Sequence, residues 1–264
     1  MDLCSRVFSA AGFGYLLLEE KPLTRSPILR MKAFLLTAGK GERLRPLTDR
    51  TPKCLISIQA RPILAVWLEL CRRHQIDEVL INTHSHADAV RNYLRDRSDG
   101  LRVHITYEES LLGSAGTLRA NRDWIGSDPE FWVFYSDVLT NTNLTRMLAF
   151  HRSRKLIATL GVYEVPHPQQ CGIVTVDGQH TVREFVEKPV DPRGRLAFSG
   201  ILIATPEILN VVPQEIPADL GFHVFPRLVG QMAAFPISDY LIDVGTPANY
   251  EHAQLTWPGL DAAA

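Results

Sequence analysis

From Met31 onward the chain alternates short apolar runs with stretches of helical periodicity, and that alternation admits few folds. Phe131–Tyr135 is almost wholly apolar, so it has to be covered on both faces, as a central strand in a parallel sheet is. Strands are expected over Lys32–Leu36, Glu78–Thr83, Arg102–Tyr107 and Phe131–Tyr135. After Pro62, at a helix start, Ile63, Trp67, Leu70 and Cys71 recur at helical spacing; further helices are expected over His86–Arg97, Thr117–Trp124 and Asn143–Lys155. In the second half, Gly172–Val176 and Thr181–Val186 alternate and flank Asp177-Gly178, a pair favoured in tight hairpins, so antiparallel structure enters there. Strands over Ser199–Ala204 and Tyr240–Val244 follow, with helices over Pro206–Val212, Phe222–Gln231 and Pro247–Leu255. The expected class is α/β: a mostly parallel sheet flanked by helices, with a small antiparallel β insertion in the second half.

Residues 31–256 are expected to form the domain. Residues 1–30 carry Pro22, Pro27 and scattered charge without periodicity and read as an N-terminal extension, with Met31 heading the first strand; residues 257–264 read as a C-terminal tail. Basic and acidic residues number 28 and 29, a net charge of −1, which argues against nucleic acid as a partner because phosphate-backbone binders carry a basic excess. Cys4, Cys54, Cys71 and Cys171 are widely spaced without a CxxC pair, which points to neither a zinc site nor a disulfide framework, and suits a cytoplasmic setting. Val7–Leu18 is interrupted by Gly12 and Gly14 and runs into Glu19-Glu20, so neither export nor a membrane span is expected.

The chemistry concentrates in Leu36-Thr-Ala-Gly-Lys-Gly-Glu-Arg-Leu-Arg-Pro-Leu-Thr48 and in Thr51-Pro-Lys-Cys-Leu55. Gly39 and Gly41 directly after a strand let backbone amides approach phosphate oxygens, and Arg43 adds a bidentate cation. The loop is neither a Walker A loop nor a dinucleotide fingerprint, since no Gly-Lys-Ser/Thr closes it and position 44 is leucine. By itself it also reads as a tight turn with solvated basic residues.

The whole string resembles the signature of the sugar-1-phosphate nucleotidylyltransferases, G-x-G-x-R-L-x-P-L-T followed by P-K, and most closely the mannose- and heptose-1-phosphate guanylyltransferase branch. The resemblance continues in order through Glu108-Glu-Ser-Leu-Leu-Gly-Ser-Ala-Gly-Thr-Leu118, Tyr135-Ser-Asp137, Phe185-Val-Glu-Lys-Pro189 and Ile242-Asp-Val-Gly-Thr246. It implies a Rossmann-like, GT-A-like fold and transfer of a nucleotidyl group from a nucleoside triphosphate to a sugar 1-phosphate, and it admits a homodimer. It places the nucleotide on Leu36, Ala38, Gly39, Lys40, Gly41, Glu42, Arg43, Lys53, Glu108, Gly113 and Ser114, and the sugar phosphate on Gly116, Gly172, Glu187, Lys188, Phe198 and Ser199. Asp137 and Asp243 would hold Mg²⁺; Arg43, Lys53, Asp137 and Lys188 would be the catalytic set.

A sugar 1-phosphate is already an anion at neutral pH, so no general base is required, and the enzyme has to position and neutralise two polyanions. Simpler roles stand beside these. Asp137 and Asp243 could cap the helices that follow them, Lys188 could be a solvated strand end, and Cys54 and Cys171 suit packing better than nucleophilic work. His84 and His86, two apart after a strand, point to opposite faces and make a poor metal pair. Glu108 or Glu109 stands where pyrimidine-using relatives tend to place glutamine, which tilts the nucleotide toward GTP. Phe198 falls where relatives usually carry an asparagine for sugar hydroxyls, which points to a modified sugar or a cyclitol phosphate. A UTP- or dTTP-dependent enzyme and a catalytically silent nucleotide-sugar-binding paralogue are the alternatives.

Overall fold

The computed structural model describes residues 31–262; the expectation of an N-terminal extension over residues 1–30 lies outside them. β1 (Met31–Leu36) is central, pairing in parallel with β2 (Ile76–Thr83) on one side and β4 (Phe131–Tyr135) on the other, while β3 (Arg102–Tyr107) extends the parallel set beyond β2. β5 (Val138–Thr140) and β11 (Leu241–Asp243) form a separate antiparallel pair. β6 (Ala158–Glu164), β7 (Gly172–Val176), β8 (Val182–Glu187), β9 (Leu196–Ala204) and β10 (Met232–Pro236) complete a nine-stranded sheet. In it β9 runs antiparallel against β4, β6 and β7, β7–β8 is the hairpin expected around Asp177-Gly178, and β10 is parallel to β6.

Each face of the sheet carries its own core. Against one, α1 (Ile63–Arg73) delivers Leu64, Trp67 and Leu68 onto Ile81, Trp132 and Phe134, with the Trp67 and Phe134 rings stacked at 4.6 Å. Against the other, α3 (Ser114–Ala120) and the 206–228 segment cover Phe34, Phe131, Val133 and Leu202. α2 (Ala87–Leu94), α4 (Arg122–Ile125), α5 (Leu144–Arg154) and α6 (Pro247–Thr256) complete the helices. Among the described residues no helix is long and apolar enough to cross a membrane.

The expected helices at Pro206–Val212 and Phe222–Gln231 are instead short turns: a 3₁₀ turn at Pro206–Val211, then a π turn at Leu220–Val224 running into a 3₁₀ turn at Phe225–Leu228. Pro226 lacks the N–H that a regular helix would need there. Strands β6 and β10 were not expected. Gly161 interrupts the pattern of β6 because a Cβ there would stand 2.6 Å from Ser199 Oγ and 2.7 Å from Ile237 Cδ1. The expected tail also packs inward: Trp257 and Leu260 join the core and Asp261 pairs with Arg73 at 2.7 Å.

Candidate active site

The carboxyl ends of β1, β2 and β4 open into a cleft, the usual ligand edge of an α/β sheet. Just past β1, Thr37 N donates to Asn82 Oδ1 at 2.7 Å and Thr37 Oγ1 donates to Asn82 O at 2.5 Å, which ties the loop to the end of β2. The loop then turns at Gly41, whose φ of +66° and 2.8 Å approach of a would-be Cβ to Thr48 Cγ2 both favour glycine. Thr48 Oγ1 donates to Gly41 O at 2.8 Å, and Leu44 is buried as an anchor, leaving Arg43 exposed on the cleft side.

Pairing of β5 with β11 sets Asp243 opposite Val138, and Val244 N donates to Asp137 O at 2.8 Å, so two residues more than a hundred positions apart become neighbours. Neither aspartate caps a helix: Asn143 caps α5 and Thr246 caps α6. Lys53 Nζ donates to Asp137 Oδ2 at 2.7 Å. Asp243 Oδ1 is buried without a hydrogen-bond partner. Burial, then the charge of Asp137, raises the Asp243 carboxyl above its ordinary range, against the pull of Lys53 and Arg43. An all-oxygen pair with one orphaned buried oxygen fits a hard divalent cation, and two carboxylates leave coordination positions for phosphate oxygens. No cluster of three or more His, Cys, Asp or Glu is found among the described residues.

Three clefts meet at Asp137. One is lined by Leu36, Ala38, Gly39, Lys53, Asn82, Glu108, Gly113, Ser114 and Tyr135. The second is lined by Gly39, Lys40, Gly41, Glu42, Arg43, Lys53 and Gly245. The third is lined by Tyr135, Tyr163, Gly172, Glu187, Lys188, Phe198, Ser199, Asp219, Phe222 and Asp243. Every residue expected to contact nucleotide or sugar phosphate therefore lies on one of the three, except Gly116. It is buried within α3, where its N donates to Ala218 O at 3.0 Å and a Cβ would come 3.2 Å from Leu112 Cβ, so its role is packing.

The structure also changes the reading of Glu108. Its Oε1 accepts from Asn82 Nδ2 at 2.8 Å and Thr117 Oγ1 at 2.5 Å, and its Oε2 accepts from Leu112 N at 3.1 Å. Its oxygens are thus bonded to the end of β2, to α3 and to the loop between β3 and α3, so the carboxylate shapes the first cleft, while Glu109 is exposed. Ser114 has a structural bond as well, donating from Oγ to Asp219 Oδ2 at 2.9 Å.

In the third cleft, Glu187 is half-buried, and burial followed by the charge of Asp219 raises its carboxyl, with Lys188 opposing. Lys188 adopts φ +48°, a strained backbone for a residue before proline, and its Nζ lies 5.7 Å from the centre of the Phe222 ring. Phe198 is held edge-on between Tyr135 and Phe225, at 5.7 and 5.1 Å between ring centres. Burial raises the thiol of Cys171 and pushes that of Cys54 up to about 12, so neither is an activated nucleophile. Sequence reasoning missed Asn82, Asp219, Phe222 and Gly245. Only Gly245, inside the Asp-x-Gly-Thr string, carried a signal: a Cβ there would stand 2.6 Å from Asp243 Oδ1 and 2.7 Å from an Arg43 guanidinium nitrogen.

The family model described as nucleotidyl transferase matches residues 32–257. The chain is 31% identical over 241 residues to UTP–glucose-1-phosphate uridylyltransferase of Synechocystis sp., covering 84% of this chain and 62% of that protein. It is 32% identical over 227 residues to mannose-1-phosphate guanylyltransferase 1 of Arabidopsis thaliana, covering 83% and 63%. It thus spans about three fifths of the length of the curated relatives it matches. The solved structure of UTP-bound UGPase from Acinetobacter baumannii shares the fold, with a TM-score of 0.77 at 22% identity, covering 86% of this chain and 93% of that one. The chain belongs to the sugar-1-phosphate nucleotidylyltransferase family.

Proposed function

We propose that the chain transfers a nucleotidyl group from a nucleoside triphosphate, GTP by preference, to a sugar 1-phosphate, giving an NDP-sugar and pyrophosphate. The observation that carries the reading is the meeting of three clefts at Asp137, with Arg43, Lys53 and Lys188 distributed among them. An oxygen of the acceptor phosphate attacks the α-phosphorus; that P–O bond forms as the bond from the α-phosphorus to the α,β-bridging oxygen breaks, and pyrophosphate leaves with the electron pair. No proton has to move. Lys188 anchors the acceptor phosphate, Lys53 lies between the base and phosphate clefts where the α-phosphate falls, and Arg43 neutralises the departing pyrophosphate. Asp137 and Asp243 would hold Mg²⁺, which when bound supplies charge neutralisation and alignment of the phosphoryl oxygens.

The likeness to guanylyltransferases along most of the chain supports GTP, with the base read by backbone groups of the first cleft, since Glu108 is already bonded. The Synechocystis relative supports UTP as the second reading. Phe198, Tyr135 and Phe222 line the acceptor cleft together with Glu187 and Asp219, which favours a mannose- or heptose-like ring that is modified, or a cyclitol. A cytoplasmic setting and a homodimer belong to the same proposal.

The test is pyrophosphate release with GTP, UTP, dTTP, ATP and CTP crossed with a panel of sugar and cyclitol 1-phosphates. Asp137→Ala and Asp243→Ala serve as controls. Release with one nucleotide preferred, abolished in both variants, is expected. Silence with every pair supports a regulatory paralogue instead, and full activity in both variants removes the metal assignment.

A further inference from the structure

We propose that Lys53 sets the order of assembly in this site: its ammonium holds Asp137 until a nucleotide phosphate draws it away, so the divalent cation joins with or after the nucleotide and not before. The inference rests on the nucleotidyl-transfer reading.

Lys53 Nζ lies 2.7 Å from Asp137 Oδ2, and the pair is sheltered, with side-chain exposures of 10% and 30%. An ammonium in hydrogen-bond contact and a divalent cation on the same carboxylate repel each other in a partly desolvated cleft, so the ion pair weakens Asp137 as a cation ligand. Asp243 also feels the charges of Lys53 and Arg43, but neither donates to its Oδ1, which is buried with no hydrogen-bond partner. The two carboxylates therefore differ: Asp243 offers an unpartnered oxygen, and Asp137 is weakened by its ion pair. A cation arriving alone meets an ammonium already bound to one of its two carboxylates.

The position of Lys53 supplies the release. It stands on a 3₁₀ turn, Lys53–Leu55, and lines both the base cleft and the phosphate cleft. Phosphate oxygens entering there offer it a second anionic partner without movement of the turn. Exchange of Asp137 for phosphate keeps the ammonium compensated and exposes Asp137 Oδ2 at the moment when phosphate oxygens are present to complete the cation's shell. The same lysine thus blocks a premature cation and greets the nucleotide.

The experiment measures Mn²⁺ binding to the full chain, without nucleotide, by electron paramagnetic resonance of the free ion, for wild type, Lys53→Gln and Lys53→Arg. Removal of one charged hydrogen bond predicts about tenfold tighter Mn²⁺ binding in Lys53→Gln, with Lys53→Arg close to wild type. Equal affinity in wild type and Lys53→Gln overturns the proposal. A second measurement needs wild type alone, with Lys53→Arg used only for assignment: with lysines ¹³C-dimethylated, a modification that keeps their charge, the Lys53 signal should move on addition of the metal-free α,β-methylene analogues of GTP or UTP. A signal unmoved by saturating amounts of both overturns the proposal even where Lys53→Gln fails to fold. A chain that releases no pyrophosphate with any substrate pair, yet gives the Mn²⁺ result, refutes the transfer reading and leaves the blocking role of Lys53 standing.

Discussion

Replacing Glu108 with glutamine takes one acceptor out of a buried network that has none to spare. If the amide oxygen stays with Asn82 Nδ2 and Thr117 Oγ1, the new NH₂ faces Leu112 N–H. If the amide is reversed, the NH₂ faces Asn82 Nδ2, and Asn82 cannot turn over because its Oδ1 accepts from Thr37 N at 2.7 Å. Either way one hydrogen bond to a carboxylate is lost and two donors confront each other out of water. Charged hydrogen bonds contribute about 1.5–3 kcal/mol and a buried unsatisfied donor costs about 1–3 kcal/mol, so a loss near 3 kcal/mol follows, roughly a 6–12 °C fall in Tm for a chain of this size. The assay is thermal unfolding of both proteins together with kcat/KM for GTP and UTP. Because the residue shapes the cleft without touching the base, both nucleotides should lose by the same factor. An unchanged Tm with an altered GTP-to-UTP ratio refutes the reasoning and restores Glu108 as a reader of the base.

Gly245→Ala would press a methyl group between Asp243 and Arg43, and turnover should fall about tenfold or more with unfolding changed by less than about 1 kcal/mol; unchanged kcat counts against the geometry. Burial, reinforced by Arg152 and opposed by Glu130, holds the His151 imidazole below its ordinary pKa of 6.5. The unfolded chain therefore takes up that proton first as the pH falls, and the stability His151 contributes is complete above pH 6.5 and lost below it. The Tm difference between wild type and His151→Gln should accordingly narrow from pH 7 to pH 5, and a constant difference disproves it. Phe198→Asn should shift kcat/KM about tenfold toward plain mannose 1-phosphate and away from a deoxy or methylated analogue, measured as a ratio in one enzyme; an unmoved ratio removes Phe198 as a specificity residue.

Arg102–Tyr107, Phe131–Tyr135 and Gly172–Val176 were legible to the residue, because each is a short run rich in β-branched or aromatic residues. β6 and β10 were not, since glycine breaks one, proline ends the other, and they find each other only through the fold. The charged residues of the candidate site could be read from the ordered motifs of the family resemblance, and the structure gathers Arg43, Lys53, Asp137, Lys188 and Asp243 along adjoining clefts. Asn82, Asp219 and Phe222 could not: their significance lies in bonds to Thr37, Ser114 and Lys188, which no local pattern announces.

β9 breaks register between Phe198 and Leu202, turning at Gly200 with φ +80°. Beyond the break, Ile201–Ala204 pair with β4 at the centre of the sheet; before it, Ala197 pairs with β7, and Phe198 and Ser199 line the third cleft. One strand is thereby divided into two inheritances, and exchange of its first four residues can redraw the third cleft while the half that braces the central sheet keeps its sequence.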